Sequence, residues 1–505
     1  MLKKGFAKHL LLFIWLTAAG LMLSGCSSQI AERGMVDLSQ RIISADGDAP
    51  KADGAAAHDE WMTLYFLGED GATLKPVTRK VAVQGGMSRA QAALDALLAG
   101  PQAGERGVTW PDIGVSRSER PMEVSGGVAT VDLSAHARML AQQTLYAVRL
   151  AIANTLTEFS EIAYVNVLIG GREEGLDLSA TLPVGTLAHT DDLNAGARYS
   201  RLHEQRLSGE GVTLTTTLYF PSRDGKLILP EVRNVAYAQV SPIEYLYTIL
   251  GELGKGAGLA LCAEDVPAPL EYITEMPEIV RTPDGYLAIA LCFDRELEAE
   301  LARSAMTLGV YTAMLSDTLM GFVPGVEGIQ ISVGDQAITG LEPEQTPDGR
   351  EIQFEHGLAT RNSFSGYVGA PVTLYAMQEE GLKKVQHVIG QSRADDPRAR
   401  LEAMMSLSAE EMFALPEGLE AEDILAVSEE ERIISVNLSE NFRKVLSELS
   451  PRYERAAVYA MVNTLTEGKK ASQVAFFFEG EQVAALAGEL EMRGVFVRNP
   501  GMVVD

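Results

Sequence analysis

The chain reads as α+β, three tandem repeats of a small mixed sheet packed by two helices. Three observations predict this. Thr-Leu-Tyr recurs at Thr63–Tyr65, Thr217–Tyr219 and Thr373–Tyr375, a spacing of about 155 residues. An unrelated marker recurs in the same order: Asn154-Thr-Leu-Thr-Glu-Phe159, Asp317-Thr-Leu-Met-Gly-Phe322 and Asn463-Thr-Leu-Thr-Glu-Gly468. Between the markers, period-2 alternation gives way to helical period, and 505 residues exceed what one core holds.

The chain opens with Lys3, Lys4 and Lys8 before an apolar run from Leu10 to Leu23, too short for a comfortable membrane span and patterned like an export signal. The run ends Leu23-Ser24-Gly25-Cys26, which resembles the lipobox of bacterial lipoproteins. That resemblance implies acylation of the Cys26 thiol, a mature chain starting there, and a hold on the outer face of a membrane. Each buried methylene contributes about 0.8 kcal/mol, so two or three acyl chains anchor a protein almost permanently. A cleaved signal peptide or an anchor helix with an incidental cysteine is the competing reading. From Ser27 to about Glu60 the chain is rich in Ala, Gly, Asp and Ser without a sustained apolar period, and reads as a tether. The boundaries are therefore 1–25 for the signal, 26–60 for a flexible tether, 61–190, 213–335 and 370–505 for the copies, and 191–212 and 336–369 for linkers. The second linker is long enough to hide a strand.

Within a copy, Thr63 to Phe66 and Thr217 to Phe220 are β-branched or aromatic and predict strands, each followed by an Asp-Gly turn at Asp70 or Asp224. Ser88 caps a helix with Ala90, Ala93, Leu94, Leu97 and Leu98 on one face. Its counterparts start at Ser241-Pro-Ile-Glu244, a capping box, and at Asp396-Pro397. Ser125-Gly-Gly127 and Pro283-Asp-Gly285 predict hairpin turns into alternating strands, matched in the third copy by Ile433 to Leu438. A longer helix follows, with Leu145, Val148, Ile152 and Phe159 on one face, and the Asn-Thr-Leu-Thr-Glu marker is its last turn. There the Leu packs on the sheet, while Asn and Thr serve terminal carbonyls and nearby backbone. The last strands are Tyr164–Ile169, Ile329–Val333 and Val474–Phe478, so each copy predicts one sheet with helices on a face.

These residues carry a family likeness. The Thr-Leu-Tyr-Phe strand, the Asp-Gly turn, the Ser-capped Ala/Leu helix ending Leu97-Leu-Ala-Gly-Pro101, then Gly127-Val-Ala-Thr-Val-Asp-Leu-Ser134 and a long second helix resemble the GerMN domain of GerM-like lipoproteins. The likeness is good over Trp61 to Gly185, moderate over Thr213 to Asp335 and weak over Pro371 to Asp505, where Ala376 replaces the aromatic. The resemblance implies a non-enzymatic protein of sporulation or germination, supporting assembly of an envelope complex. Its fold is similar to ring-building modules of secretion systems. Implied partners are other envelope proteins and, through the lipid, the membrane; a cell-wall (peptidoglycan) binding lipoprotein is the alternative.

The charge excludes one class of partner. With 42 basic and 69 acidic residues the net charge is −27, which repels nucleic acid and anionic headgroups. No G-x-S-x-G, H-E-x-x-H or Walker pattern occurs, and no catalytic, cofactor or metal residue is assigned. Gly254-Lys-Gly-Ala-Gly258 has the wrong spacing for a phosphate loop and reads as a helix-ending turn. His189 beside Asp191 and Asp192 reads as a solvated cluster rather than a cation site. Glu173-Glu174 and Glu429-Glu430-Glu431 read as surface carboxylates, and whether any two reach a glycosidase-like separation depends on a distance that sequence does not give. Cys262 and Cys292 either pair or stay free, since pairing depends on a separation that sequence does not give. Tyr65, Tyr219 and Tyr375 read as core or sheet-edge aromatics, with a carbohydrate platform as the other option.

Overall fold

A computed structural model describes residues 49–111, 120–176, 182–207, 211–378, 381–407, 415–430, 432–469, 471–487 and 490–504. Leu23, Ser24, Gly25 and Cys26 of the lipobox lie outside the described residues. The described residues fall into two compact units: 55–374 with 384–403, and 49–54 with 375–383 and 404 onward.

The first copy begins with an antiparallel hairpin of β1 (His58–Gly68) and β2 (Leu74–Val83). Asp70 makes its turn. The carboxylate accepts from the Thr73 hydroxyl and the Ala72 and Thr73 N–H groups, which hold it down at about 2. Helix α1 (Arg89–Leu98) starts where Ser88 accepts from the Gln91 N–H. Strands β3 (Glu123–Ser125) and β4 (Val128–Leu133) are joined by Gly126 and Gly127, both at positive φ, as a two-residue primed turn requires. Helix α2 (Gln142–Leu156) crosses over to β5 (Tyr164–Ile169), which runs parallel to β4, and β6 (Leu187–Ala188) closes the sheet antiparallel.

One point departs from the sequence reading. Each copy does not form one sheet: the hairpin and the four-stranded sheet β3-β4-β5-β6 are separate. Helix α2 touches both, and every residue from Leu145 to Leu156 is buried. A helix buried all round needs cover on two sides, and the split strands supply it. Among the described residues 191–212, read as a linker, lies helix α3 (Ala195–Leu207), capped by Asn194 accepting from the Ala197 N–H at 2.9 Å.

The second copy repeats the plan with β7 (Val212–Pro221), β8 (Ile228–Tyr237), α4 (Pro242–Leu253), β9 (Glu278–Arg281), β10 (Leu287–Phe293), α5 (Leu308–Met320), β11 (Gly328–Val333) and β12 (Gln336–Ile338). All of α5 is buried. Ser241 caps α4, and Gly254 ends it, so the glycine-rich run is a helix terminus. The span 336–369, read as a linker, holds β12 and a further strand pair, Gly340–Leu341 with Ile352–Gln353. It also buries Phe354, Phe364 and Tyr367 against one another.

The third copy comprises β13 (Gly369–Met377), β14 (Leu382–Gly390), α6 (Pro397–Ser406), β15 (Ile424–Glu430), β16 (Ile433–Leu438), α7 (Pro451–Thr466), β17 (Gln473–Phe478) and β18 (Phe496–Val497). Its mixed sheet again pairs a parallel centre, β16 with β17, between antiparallel neighbours. Part of the span 26–60, read as a tether, lies on this sheet: Asp53 accepts from the Val427 N–H at 2.8 Å, and the Pro50 carbonyl accepts from Asn437 Nδ2. The edge of β15 offers backbone donors that an extended segment can satisfy.

Ala376 also finds its explanation. In the first copy Arg79 lies over the Phe66 ring at 5.4 Å and donates to the Gly100 and Ala96 carbonyls at the end of α1. Arg233 does the same over Phe220 at 4.9 Å, donating to the Glu252 and Gly256 carbonyls. The third copy has neither that ring nor the arginine; His387 stands in the arginine's place along the strand.

Candidate functional site

The repeated marker at the end of the second helix has a long-range task. The Tyr65 N–H donates to Thr155 Oγ1 at 2.9 Å, Tyr219 to Thr318 at 2.9 Å and Tyr375 to Thr464 at 3.0 Å. In each copy, then, the buried threonine pins the helix end to its own hairpin. Tyr65 stands opposite Pro76 and Tyr219 opposite Pro230 in the hairpin register. The preceding Asn is equally occupied. Asn154 exchanges two bonds with the Thr190 backbone, and Asn463 two with Asn499. The later Thr157 and Thr466 donate to the Ala153 and Val462 carbonyls, serving the helix end as the sequence suggests.

Beyond that lock, the same position carries a tyrosine, an acid and a basic side chain. In the first copy Tyr65 Oη donates to Glu158 at 2.9 Å, and burial together with that acceptor pushes the phenol up to about 12. His189, one residue past β6, stands edge-on to the Tyr65 ring at 6.0 Å, with Nδ1 3.1 Å from Thr157 Oγ1. In the third copy Tyr375 Oη donates to Glu467 at 2.9 Å. Arg498, one residue past β18, pairs with Glu467, donates to Tyr375 Oη and lies 5.6 Å from the ring centroid. The tyrosines are buried, whereas Glu158 and His189 are exposed and Glu467 and Arg498 half-buried.

The middle copy uses this end differently. Asp317 replaces the Asn, Gly321 replaces the Glu, and Arg361 takes the position of His189 and Arg498, two residues after Ala359, which pairs with Ile329. Arg361 Nε donates to Asp317 Oδ1 at 2.5 Å and its Nη2 lies 3.4 Å from Glu123 Oε2. Arg120 joins Glu123 at 2.7 Å and Asp317 at 3.3 Å, and donates to the Arg361 carbonyl. Tyr219 Oη sits 3.2 Å from Thr130 Oγ1 on β4. All of these groups are buried. Burial drives Glu123 up against the pull of Arg120 and Arg361. For Arg361 burial acts downward, but Asp317, Tyr219, Glu123 and Asp132 together outweigh it and the guanidinium is held protonated. This end of the middle copy is thus an interface, seated on the mixed sheet of the first.

Other residues singled out by sequence do not converge. Glu173 corrects the surface reading: it is fully buried, 3.5 Å from Arg149, accepts from the Gly175 N–H at 2.7 Å, and burial raises it. Glu174 takes Arg138 and Arg172. Glu429 and Glu430 end β15, and Glu431 lies outside the described residues. Asp192 pairs with Arg201 at 2.8 Å. Among the described residues no three His, Cys, Asp or Glu side chains gather to hold a metal. Cys262 and Cys292 are both free, and burial pushes the Cys262 thiol up to about 12. The Arg120–Glu123–Asp317–Arg361 cluster had no sequence signal beyond the Asn-to-Asp change in the middle marker.

The Germane domain, described as sporulation and spore germination, matches residues 63–175 and 373–484. These are the first copy and the third, the latter despite its weaker residue likeness. No curated protein matches. Among solved structures, the tandem GerMN domains of the sporulation protein GerM from Bacillus subtilis share 15% identity over 60% of this chain and 99% of theirs, with a TM-score of 0.22. The first GerMN domain of that protein shares 23% over 27% of this chain and 97% of its own, TM-score 0.19. A candidate lipoprotein from Clostridium perfringens shares 17% over 26% and 87%, TM-score 0.19. Among the described residues no helix is long and apolar enough to cross a membrane.

Proposed function

We propose that this chain, a Germane-domain protein of the GerM-like sporulation and germination family, is a lipid-anchored scaffold on the extracytoplasmic face of the membrane that docks other envelope proteins. One observation carries the docking role. The helix end that forms a buried interface in the middle copy recurs, half-open, as Tyr65–Glu158–His189 and Tyr375–Glu467–Arg498 in the other two. A surface that has one docked example inside the chain is suited to the same use outside it. The family is a non-catalytic one, and the role needs no reaction.

Anchoring rests on the Leu23–Cys26 motif. Two strains test the whole reading. Deletion of the gene lowers the count of heat-resistant or germinating spores, and a Cys26→Ser chain moves from the membrane fraction to the soluble one. Normal spores in the deletion strain remove the sporulation role. Retention of the protein on purified peptidoglycan, with no envelope protein crosslinked, favours wall binding instead.

A further inference from the structure

Three copies present one position, and two of them fill it with an arginine of their own. In the third copy the Arg498 guanidinium lies against the Tyr375 ring and bridges Tyr375 Oη and Glu467. In the second, Arg361 is held by Asp317 and Glu123 beside Tyr219. The registers agree: His189 and Arg498 each precede the residue whose backbone is bonded by Asn154 or Asn463. The first copy keeps the tyrosine and the glutamate but has the shorter His189, whose Nδ1 turns to Thr157 rather than to Glu158. Among the described residues the hydrogen-bond partner of the exposed Glu158 carboxylate is Tyr65 Oη.

We infer that the Tyr65–Glu158 site of the first copy binds an arginine side chain of a partner protein, in the place that Arg498 occupies within the third copy. A planar guanidinium can pair with a carboxylate and lie against an aromatic face at once, which a lysine ammonium does less well. Asp191 adds its negative charge to that of Glu158 at the Tyr65 phenol. The inference gives the docking role proposed above its partner chemistry and rests on that role for its meaning. The binding itself is a property of the purified chain and is tested apart from sporulation.

The test is an NMR titration of the full mature chain, without lipid, carrying labelled Tyr and His side chains. The probe is acetyl-arginine-amide, with acetyl-lysine-amide and acetyl-glycine-amide as controls. Millimolar arginine probe shifts the Tyr65 and His189 signals, the lysine probe does so several-fold more weakly, and the glycine probe not at all. Glu158→Gln weakens binding about tenfold, the usual loss for one charge-assisted bond. His189→Arg plugs the site from within and abolishes the shifts at unchanged thermal stability, while Arg498→Ala opens a second site reported by Tyr375. Equal response to all three probes, or full binding retained in His189→Arg, overturns the inference.

Discussion

The Tyr65 N–H and Thr155 Oγ1 meet at 2.9 Å across ninety residues of chain, and the same pair recurs in each copy. An unpaired buried N–H costs about 1–3 kcal/mol. Thr155→Val keeps the shape and removes the acceptor, so it lowers unfolding free energy by that amount, while Thr155→Ser stays close to the parent. Urea denaturation followed by circular dichroism reads both. Equal stability of the Val variant contradicts the lock.

The middle copy carries Asp317 where its siblings carry Asn. Asp317→Asn removes a buried carboxylate that Arg120 and Arg361 share with Glu123. Breaking a buried ion network costs about 3–5 kcal/mol. Unit 55–374 should lose that much, and its two copies should unfold together in calorimetry. A sibling-like Asn tolerated within 1 kcal/mol would mean the cluster is solvated in solution.

Alkaline stability follows from the tyrosines. Burial pushes the Tyr65 and Tyr219 phenols up to about 12 from an ordinary 10. A raised folded value favours the protonated form, so the contribution is complete below about pH 10 and is lost as pH rises through about 12. Urea midpoints measured at pH 9 and pH 11.5 should fall, and Tyr65→Phe should flatten the dependence. A flat profile in the parent chain argues against this burial.

The two thiols differ in access. Cys292 is half-buried on β10, whereas Cys262 is buried and its thiol pushed up to about 12. A thiol reagent at pH 8 should modify Cys292 in the folded chain and Cys262 only after unfolding. A non-reducing mass showing loss of two hydrogens would indicate a disulfide instead.

Much of the fold was legible because it repeats. Two markers in one phase fixed three copies, and Ser88 and Ser241 announced helix starts that the structure bears out. The hairpin's separation from the mixed sheet was not legible, because the period of α2 shows an apolar face but not what covers each side. Residues 191–212 and 336–369 look irregular in composition, yet Asn194 before Ala195 is a readable cap. The charge cluster joins Arg120 to Arg361 across two copies, and Glu173 finds Arg149 from another element. Charge partners so far apart in sequence leave no local spacing to read. The position shared by His189, Arg361 and Arg498 became visible only through the strand registers.

The central claim is that the Tyr65–Glu158 end of the first copy is a docking surface in the envelope. A photo-crosslinking residue placed at 158 in intact sporulating cells tests it most directly. The account predicts a covalent adduct with one envelope protein, attached beside an arginine, that disappears when His189 is changed to arginine. Adducts with peptidoglycan alone, or an adduct indifferent to that change, would contradict it.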